Sequence, residues 1–274
     1  MMDSQRRDAA VSRATGSARA VRRILILGGT AEARALAARL APRADLAVTL
    51  SLAGRTASPP PQPVPVRSGG FGGPEGLADY LTSARIDALI DATHPYAAAI
   101  SANAVRAAQR AGVAFLALHR PPWQPIAGDQ WIEVADAASA VAALGNAPRR
   151  VFVALGRNEL APFVQAPQHH YLIRSVDPVD PPLGVPHAAY ITGRGPFEEA
   201  DERALMVRWR IELVVSKNSG GEASYGKIAA ARALGLPVIM LRRPAPPRAP
   251  SVATIDHVLA WLDHAETFST TRGV

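Results

Sequence analysis

The segment RRILILGG at 22–29 returns as RRVFVALG at 149–156, and the same spacing pairs Glu32 with Glu159. Farther along, IDALIDATHPY (86–96) matches IELVVSKNSGG (211–221), and AGVAFLALHRP (111–121) matches LGLPVIMLRRP (234–244). Each Arg-Pro pair is followed by a Pro-rich turn, a short strand and an amphipathic helix: WIEVADAASAVAAL at 131–144 and SVATIDHVLAWL at 251–262. Matches in one order at nearly constant spacing mean that a single structural plan is written twice. Within each half, short β-branched apolar runs alternate with Ala-rich helical runs. Examples are the strands ILIL (24–27), DLAVTLSL (45–52) and ALIDAT (88–93), and the helices at 31–41 and 99–112. Continuous apolar runs suit strands buried on both faces, and strand–helix alternation suits parallel pairing. The expected fold is therefore α/β, with two doubly wound parallel-sheet (Rossmann-like) domains of similar architecture at 21–120 and 121–265. RPPWQPIAGD (120–129) is the expected hinge. Terminal strand–helix units in such folds sometimes cross back to the partner domain, which leaves this boundary soft.

Composition narrows the chemistry. The chain has no cysteine, which removes disulfides, thiol nucleophiles and thiolate metal sites and fits a reducing cytoplasm. No metal site is expected. The formal charge of +7 favours anionic partners. Its arginines are spread along the chain, without a basic helix or a nucleic-acid motif, so nucleic acid is not an expected partner. No segment reads as a membrane span. Residues 1–20 are polar and small and are read as a disordered lead, with 266–274 as a featureless tail.

The strand ILIL runs into Gly28, Gly29 and Thr30 before a helix opens at Ala31. In a doubly wound fold this first turn lets backbone N–H groups and a helix N-terminus meet a phosphate. GGTAEA is not GxGxxG, however, and by itself it serves a tight structural turn as well as a nucleotide. Glu32, in the first helical turn, would repel an anion unless it points away or holds a ribose hydroxyl. The second strand ends SLAGRT (51–56), with Arg55 and Thr56 where an NAD-binding domain carries an acid. A guanidinium there suits a 2′-phosphate, which favours NADP over NAD. Gly-rich loops at 68–77 and 191–197 occupy equivalent places in the two halves.

The motifs LILGGTAEA (25–33), SLAGR (51–55), GGFGG (69–73), DATHPYA (91–97), LGRNEL (155–160), TGRGPF (192–197) and SKNSGG (216–221), with KIAAARALGLPVIML (227–241), together resemble the precorrin-6A reductase and cobalt-precorrin-6A reductase family. DATHPYA and SKNSGG are the distinctive elements, and the resemblance spans about 22–265. It implies NADPH as cofactor and an apolar, carboxylate-fringed tetrapyrrole as substrate. Hydride would go to one carbon of the conjugated system and a proton to its neighbour, giving precorrin-6B in cobalamin synthesis, with transient hand-over of product to the next enzyme. Under this resemblance Gly28, Gly29, Thr30, Glu32, Arg55 and Thr93 are cofactor contacts. Lys217, His94 and Tyr96 are the catalytic candidates. Arg157, Arg194, Ser216, Asn218 and Ser219 are the substrate contacts. Two alternatives stand beside it: another NADP-dependent oxidoreductase acting on a small anion, and a non-catalytic nucleotide-sensing module. A short-chain dehydrogenase would need Tyr-x-x-x-Lys, whereas Tyr225 and Lys227 are two apart.

Overall fold

The computed structural model describes residues 21–54 and 61–264. The expected lead (1–20), the tail and the loop carrying Arg55 and Thr56 lie outside the described residues.

The first sheet is built on β1 (Arg22–Leu27), β2 (Leu46–Leu52), β3 (Val66–Ser68), β4 (Ala88–Asp91) and β5 (Ala114–Leu118). Its helices are α1 (Ala31–Leu40), α2 (Gly73–Ser83) and α3 (Ala98–Ala111). The second sheet contains β6 (Trp131–Val134), β7 (Arg150–Ala154), β8 (His170–Ser175), β9 (Ala188–Thr192), β10 (Leu213–Lys217) and β11 (Val238–Leu241). Around it lie α4 (Ala137–Leu144), α5 (Glu199–Arg208) and α6 (Gly226–Ala233), and β12 (Ser251–Val252) and α7 (Ile255–His264) end the described chain. All pairings are parallel, and both lobes are Rossmann-like, as the alternation of strands and helices requires.

Side-chain alternation explains the continuous apolar runs. Ile24 and Ile26 of β1 enter one core, while Leu25 and Leu27 enter the core on the opposite face. In the same way β7 sends Val151 and Val153 to one side and Phe152 to the other. Each central strand is thus covered by helices on both faces and has no polar side to show.

The strand orders are β12-β5-β4-β1-β2-β3 and β6-β11-β10-β7-β8-β9. The last strand–helix unit of each repeat is therefore exchanged: β6 and α4, which follow the first half, complete the second sheet, and β12 and α7 complete the first. The expected second domain at 121–265 is corrected at its end, because residues 251–264 belong to the first lobe. The physical reason is burial. Val258 and Leu262 of α7 are fully buried against Ile24, Leu36 and Leu40 of the first lobe. Arg22 donates to the Leu262 carbonyl at 2.7 Å, and Arg43 pairs with Asp263 at 2.7 Å. Two segments, 119–130 and 242–250, consequently cross between the lobes.

The halves differ at the turn after their first strands. In the first lobe α1 buries Ala33, Leu36, Ala37 and Leu40, the spacing of one helical face. In the second, β7 leads into short 3-10 turns at 157–159 and 161–165. Pro162 stands where α1 has Ala35, and a proline in mid-helix lacks the N–H and clashes with the preceding turn. Only the first lobe keeps a full helix N-terminus at this position.

Candidate functional site

The strand ends of the two lobes meet at equivalent points. His94 follows β4 and Ser219 follows β10 at matching places in the repeat, and His94 Nε2 lies 3.2 Å from Ser219 Oγ. His94 Nδ1 accepts from the Tyr96 N–H at 3.3 Å, which leaves the ring proton on Nε2 to donate to Ser219. Burial pushes the His94 imidazole down to about 3, helped by Arg120, Lys217 and Arg243. His94 is thus a neutral joint between the lobes.

Tyr96 reaches across as a peg. Its ring packs against the second lobe's core, its hydroxyl donates to the Leu241 carbonyl, and it accepts from the Asn218 N–H at 2.8 Å. Burial pushes its phenol up to about 12. Asn218, 8% exposed, uses both ends of its amide on Trp123: Oδ1 accepts from the Trp123 N–H at 2.8 Å, and Nδ2 donates to the Trp123 carbonyl at 2.9 Å. That pairing fixes the expected hinge. Trp123 Nε1 then donates to the Gly221 carbonyl at 2.9 Å.

Two arginines on the crossing segments complete the joint. Arg120 pairs with Glu32 and donates through Nε to the Ser219 carbonyl at 2.7 Å. Arg243, its counterpart in the repeat, donates to the carbonyls of Asn218 and Arg120 at 2.7 Å each and to that of Pro121 at 3.2 Å. In the sequence both Arg-Pro pairs stand out as repeat markers, with no local sign of this role. Their recurrence at equivalent positions was the available signal.

The expected site residues make the following contacts. Glu32 is turned to Arg120 and sits against Gly221, where an added Cβ would come within 2.9 Å of its carboxylate, so it ties the lobes. Thr93 is buried and donates to Asp91 Oδ1 at 2.7 Å, shaping the loop from beneath. Ser216 is fully buried, with its hydroxyl on the Lys217 carbonyl at 3.1 Å. Ser216 and Asn218 are buried, whereas Ser219 is half-buried and meets His94 with its hydroxyl. Arg157 is exposed at the start of a 3-10 turn, and Arg194 lies 3.5 Å from Asp177.

Two open regions among the described residues bear on the expected site. One is the first-lobe turn, where Thr30 caps α1 by accepting from the Ala33 N–H at 3.0 Å and donates to the Ala92 carbonyl at 2.8 Å. Gly29 has φ +111° with nothing near its would-be Cβ. The neighbouring Gly69, Gly70 and Gly72 also face open space. By contrast, a Cβ at Gly28 would come within 2.6 Å of Leu50. A bare backbone turn at the N-terminus of a ten-residue helix fits a pyrophosphate.

The other is a cavity of about 400 Å³ on the second lobe, lined by Tyr96, Asp136, Glu159, Lys217, Leu241 and Arg242 among others. Lys217, 14% exposed, pairs with Glu159 and lies 5.0 Å from the centre of the Tyr96 ring. Its partner carboxylate is mounted on the repeat's turn, so a positioned ion pair lines the cavity with the ammonium held between Glu159 and the Tyr96 ring.

The His94 environment makes acid stability testable. Below the unfolded value of 6.5 the unfolded chain takes up a proton that the folded chain refuses until about pH 3. The contribution is therefore complete above 6.5 and is lost as the pH falls towards 3. His94→Gln should flatten the acid limb by up to about 1.4 kcal/mol per pH unit, read from urea unfolding between about pH 4.5 and 7.5. Parallel limbs for variant and wild type would rule out the neutral, buried imidazole.

Comparison with known proteins agrees with this architecture. A family model described as precorrin-6x reductase CbiJ/CobK matches residues 23–263. A protein named precorrin-6A reductase from Sinorhizobium is 56% identical, over 88% of this chain and 93% of its own. Its namesake from Rhodobacter capsulatus is 51% identical, over 92% of this chain and 99% of its own. A solved structure titled CobK precorrin-6A reductase superposes with a TM-score of 0.86 at 49% identity, over 92% of this chain and all of that one. With two exchanged Rossmann-like lobes and a match along nearly its whole length, the chain belongs to the precorrin-6x reductase CbiJ/CobK family.

Proposed function

We propose that this chain reduces precorrin-6A to precorrin-6B in cobalamin synthesis, with NADPH as the reductant. The observation that carries the reading is the match along 23–263, joined to a cavity at the strand ends of the second lobe that holds Lys217 and is walled on one side by Tyr96 of the first. The relatives reported above are named for the cobalt-free substrate, which supports the cobalt-free macrocycle here. A cytoplasmic location is part of the same proposal; no helix among the described residues is long and apolar enough to cross a membrane.

NADPH supplies the hydride. The chain's part is to bind, orient and stabilise charge. Gly28, Gly29 and Thr30 with the N-terminus of α1 hold the pyrophosphate, and Arg55 takes the 2′-phosphate. Lys217 faces the macrocycle and stabilises the charge that develops as the conjugated system accepts hydride. His94 and Tyr96 act as positioning residues that hold the loop beside Lys217. Arg157 and Arg194 are carboxylate contacts at the rim.

Anaerobic incubation with precorrin-6A and NADPH tests the reading: nicotinamide absorbance should fall in step with the macrocycle's spectral change. A folded protein that binds NADPH and leaves precorrin-6A unchanged would instead be a sensing module. Arg55→Ala should weaken NADPH binding by about tenfold or more while leaving NADH binding nearly unchanged. Equal losses for both nucleotides would remove the 2′-phosphate assignment.

A further inference from the structure

The second-lobe cavity carries an unmatched charge. Three cations line it, Lys217, Arg242 and Arg243, against two carboxylates, Asp136 and Glu159. Four of these five are already engaged. Lys217 pairs with Glu159, Arg243 donates to three carbonyls, and Asp136 caps α4 by accepting from the Ser139 N–H at 2.8 Å. Arg242 is exposed, and among the described residues its guanidinium has no partner. Its backbone, however, is fixed: the Arg242 N–H donates to the Val134 carbonyl at 2.9 Å, just beyond the β6–β11 pairing of Leu241 with Val134. Pro244 follows two residues later and restricts the chain further. A guanidinium carried on an anchored strand end that lines a cavity, with no partner among the described residues, is open to a bidentate carboxylate.

The walls show what else enters. Tyr96, Ala135, Ala137, Leu241 and Pro244 are apolar or aromatic. About 400 Å³ is room for one pyrrole-sized ring and its acid arm, not for a whole tetrapyrrole with its fringe. We infer that this cavity seats one ring edge of the macrocycle, with Arg242 clamping a carboxylate of that ring while Lys217 lies deeper, towards the conjugated system. The inference rests on the reductase reading and extends it to the site of substrate recognition. The exchange of β6 matters here: Ala135–Ala137 and Leu241–Pro244 form the cavity together only because a strand from the first repeat completes the second sheet.

The test separates the two claims. Wild type, Arg242→Ala and Arg242→Lys are titrated with precorrin-6A without nucleotide, following the macrocycle's absorbance, and are then assayed with NADPH. Arg242→Ala should weaken macrocycle binding and raise KM by about tenfold or more, with the NADPH Kd unchanged. Arg242→Lys should fall between, since a lysine keeps the charge and loses the bidentate fork. Macrocycle affinity in Arg242→Ala equal to wild type overturns the clamp, and turnover by wild type in the same experiment leaves the reductase reading intact. If wild type binds the macrocycle without reducing it, the reductase reading falls and the binding series still decides the clamp. A wild type that binds no macrocycle overturns both.

Discussion

Lys217→Ala should lower kcat for macrocycle reduction by about a hundredfold or more, the scale seen when a preorganised donor at a developing charge is removed. The Lys217 side chain is 14% exposed and its ammonium is held by Glu159 from one side and by the Tyr96 ring from another, so its position needs little reorganisation during the reaction. Removing it leaves Glu159 able to hydrate, because that carboxylate is 32% exposed, and folding should be little affected. The NADPH Kd should stay near wild type, since the turn proposed to hold the dinucleotide belongs to the other lobe. Lys217→Arg should recover part of the rate by keeping the charge at a shifted position. Steady-state kinetics with a melting curve check the expectation. A kcat within about twofold of wild type would move the charge stabilisation elsewhere.

Tyr96→Ala should destabilise the protein by about 2–3 kcal/mol, less than the cost of deleting a fully buried aromatic side chain because the ring is half-buried. The ring fills space in the second lobe's core although it is borne by a first-lobe loop, so its loss opens the joint as well as a hole. Tyr96→Phe isolates the hydroxyl. It removes two hydrogen bonds, but the Asn218 N–H still donates to the Leu241 carbonyl at 3.2 Å, so the cost should be about 0.5–1.5 kcal/mol. The kinetic outcome divides pin from acid. A phenol serving as general acid would cost about 10²- to 10⁴-fold in rate on conversion to phenylalanine. A pin should cost less than about tenfold, arising from displacement of Lys217. Chemical denaturation with NADPH-dependent turnover distinguishes them, and a large rate loss in a fully stable Tyr96→Phe would restore a catalytic phenol.

Much of the fold is legible along the chain because its signals are local. The strand ILIL, the Thr30 cap and the face of α1 each depend on residues within one or two turns of one another, and each forms where the pattern places it. Pro162 carried a local message too: its place opposite Ala35 ends the likeness of the two first turns. The polar loops at 91–96 and 216–221 were legible as important because polar clusters at parallel strand ends are placed for ligands or interfaces. Which of these two uses applied was hidden. His94, Asn218 and Ser219 have residue types suited to either, and their contacts lie 125 positions away for His94–Ser219 and 95 for Asn218–Trp123.

By itself the sequence determined the repeat, the alternation of strand and helix, the two parallel sheets and the family. All of these follow from periodicity and motif order, which neighbouring residues establish together. Only the tertiary structure decided which sheet each terminal strand–helix unit completes, since WIEVADAASAVAAL and SVATIDHVLAWL have the same amphipathic pattern and would fit either open edge. It also decided that Glu32 faces Arg120, that Tyr96 packs against the opposite core and that Arg242, without a partner among the described residues, lines one cavity with Lys217. Those outcomes depend on which distant surfaces are buried together, and burial between lobes is a property of the folded chain as a whole.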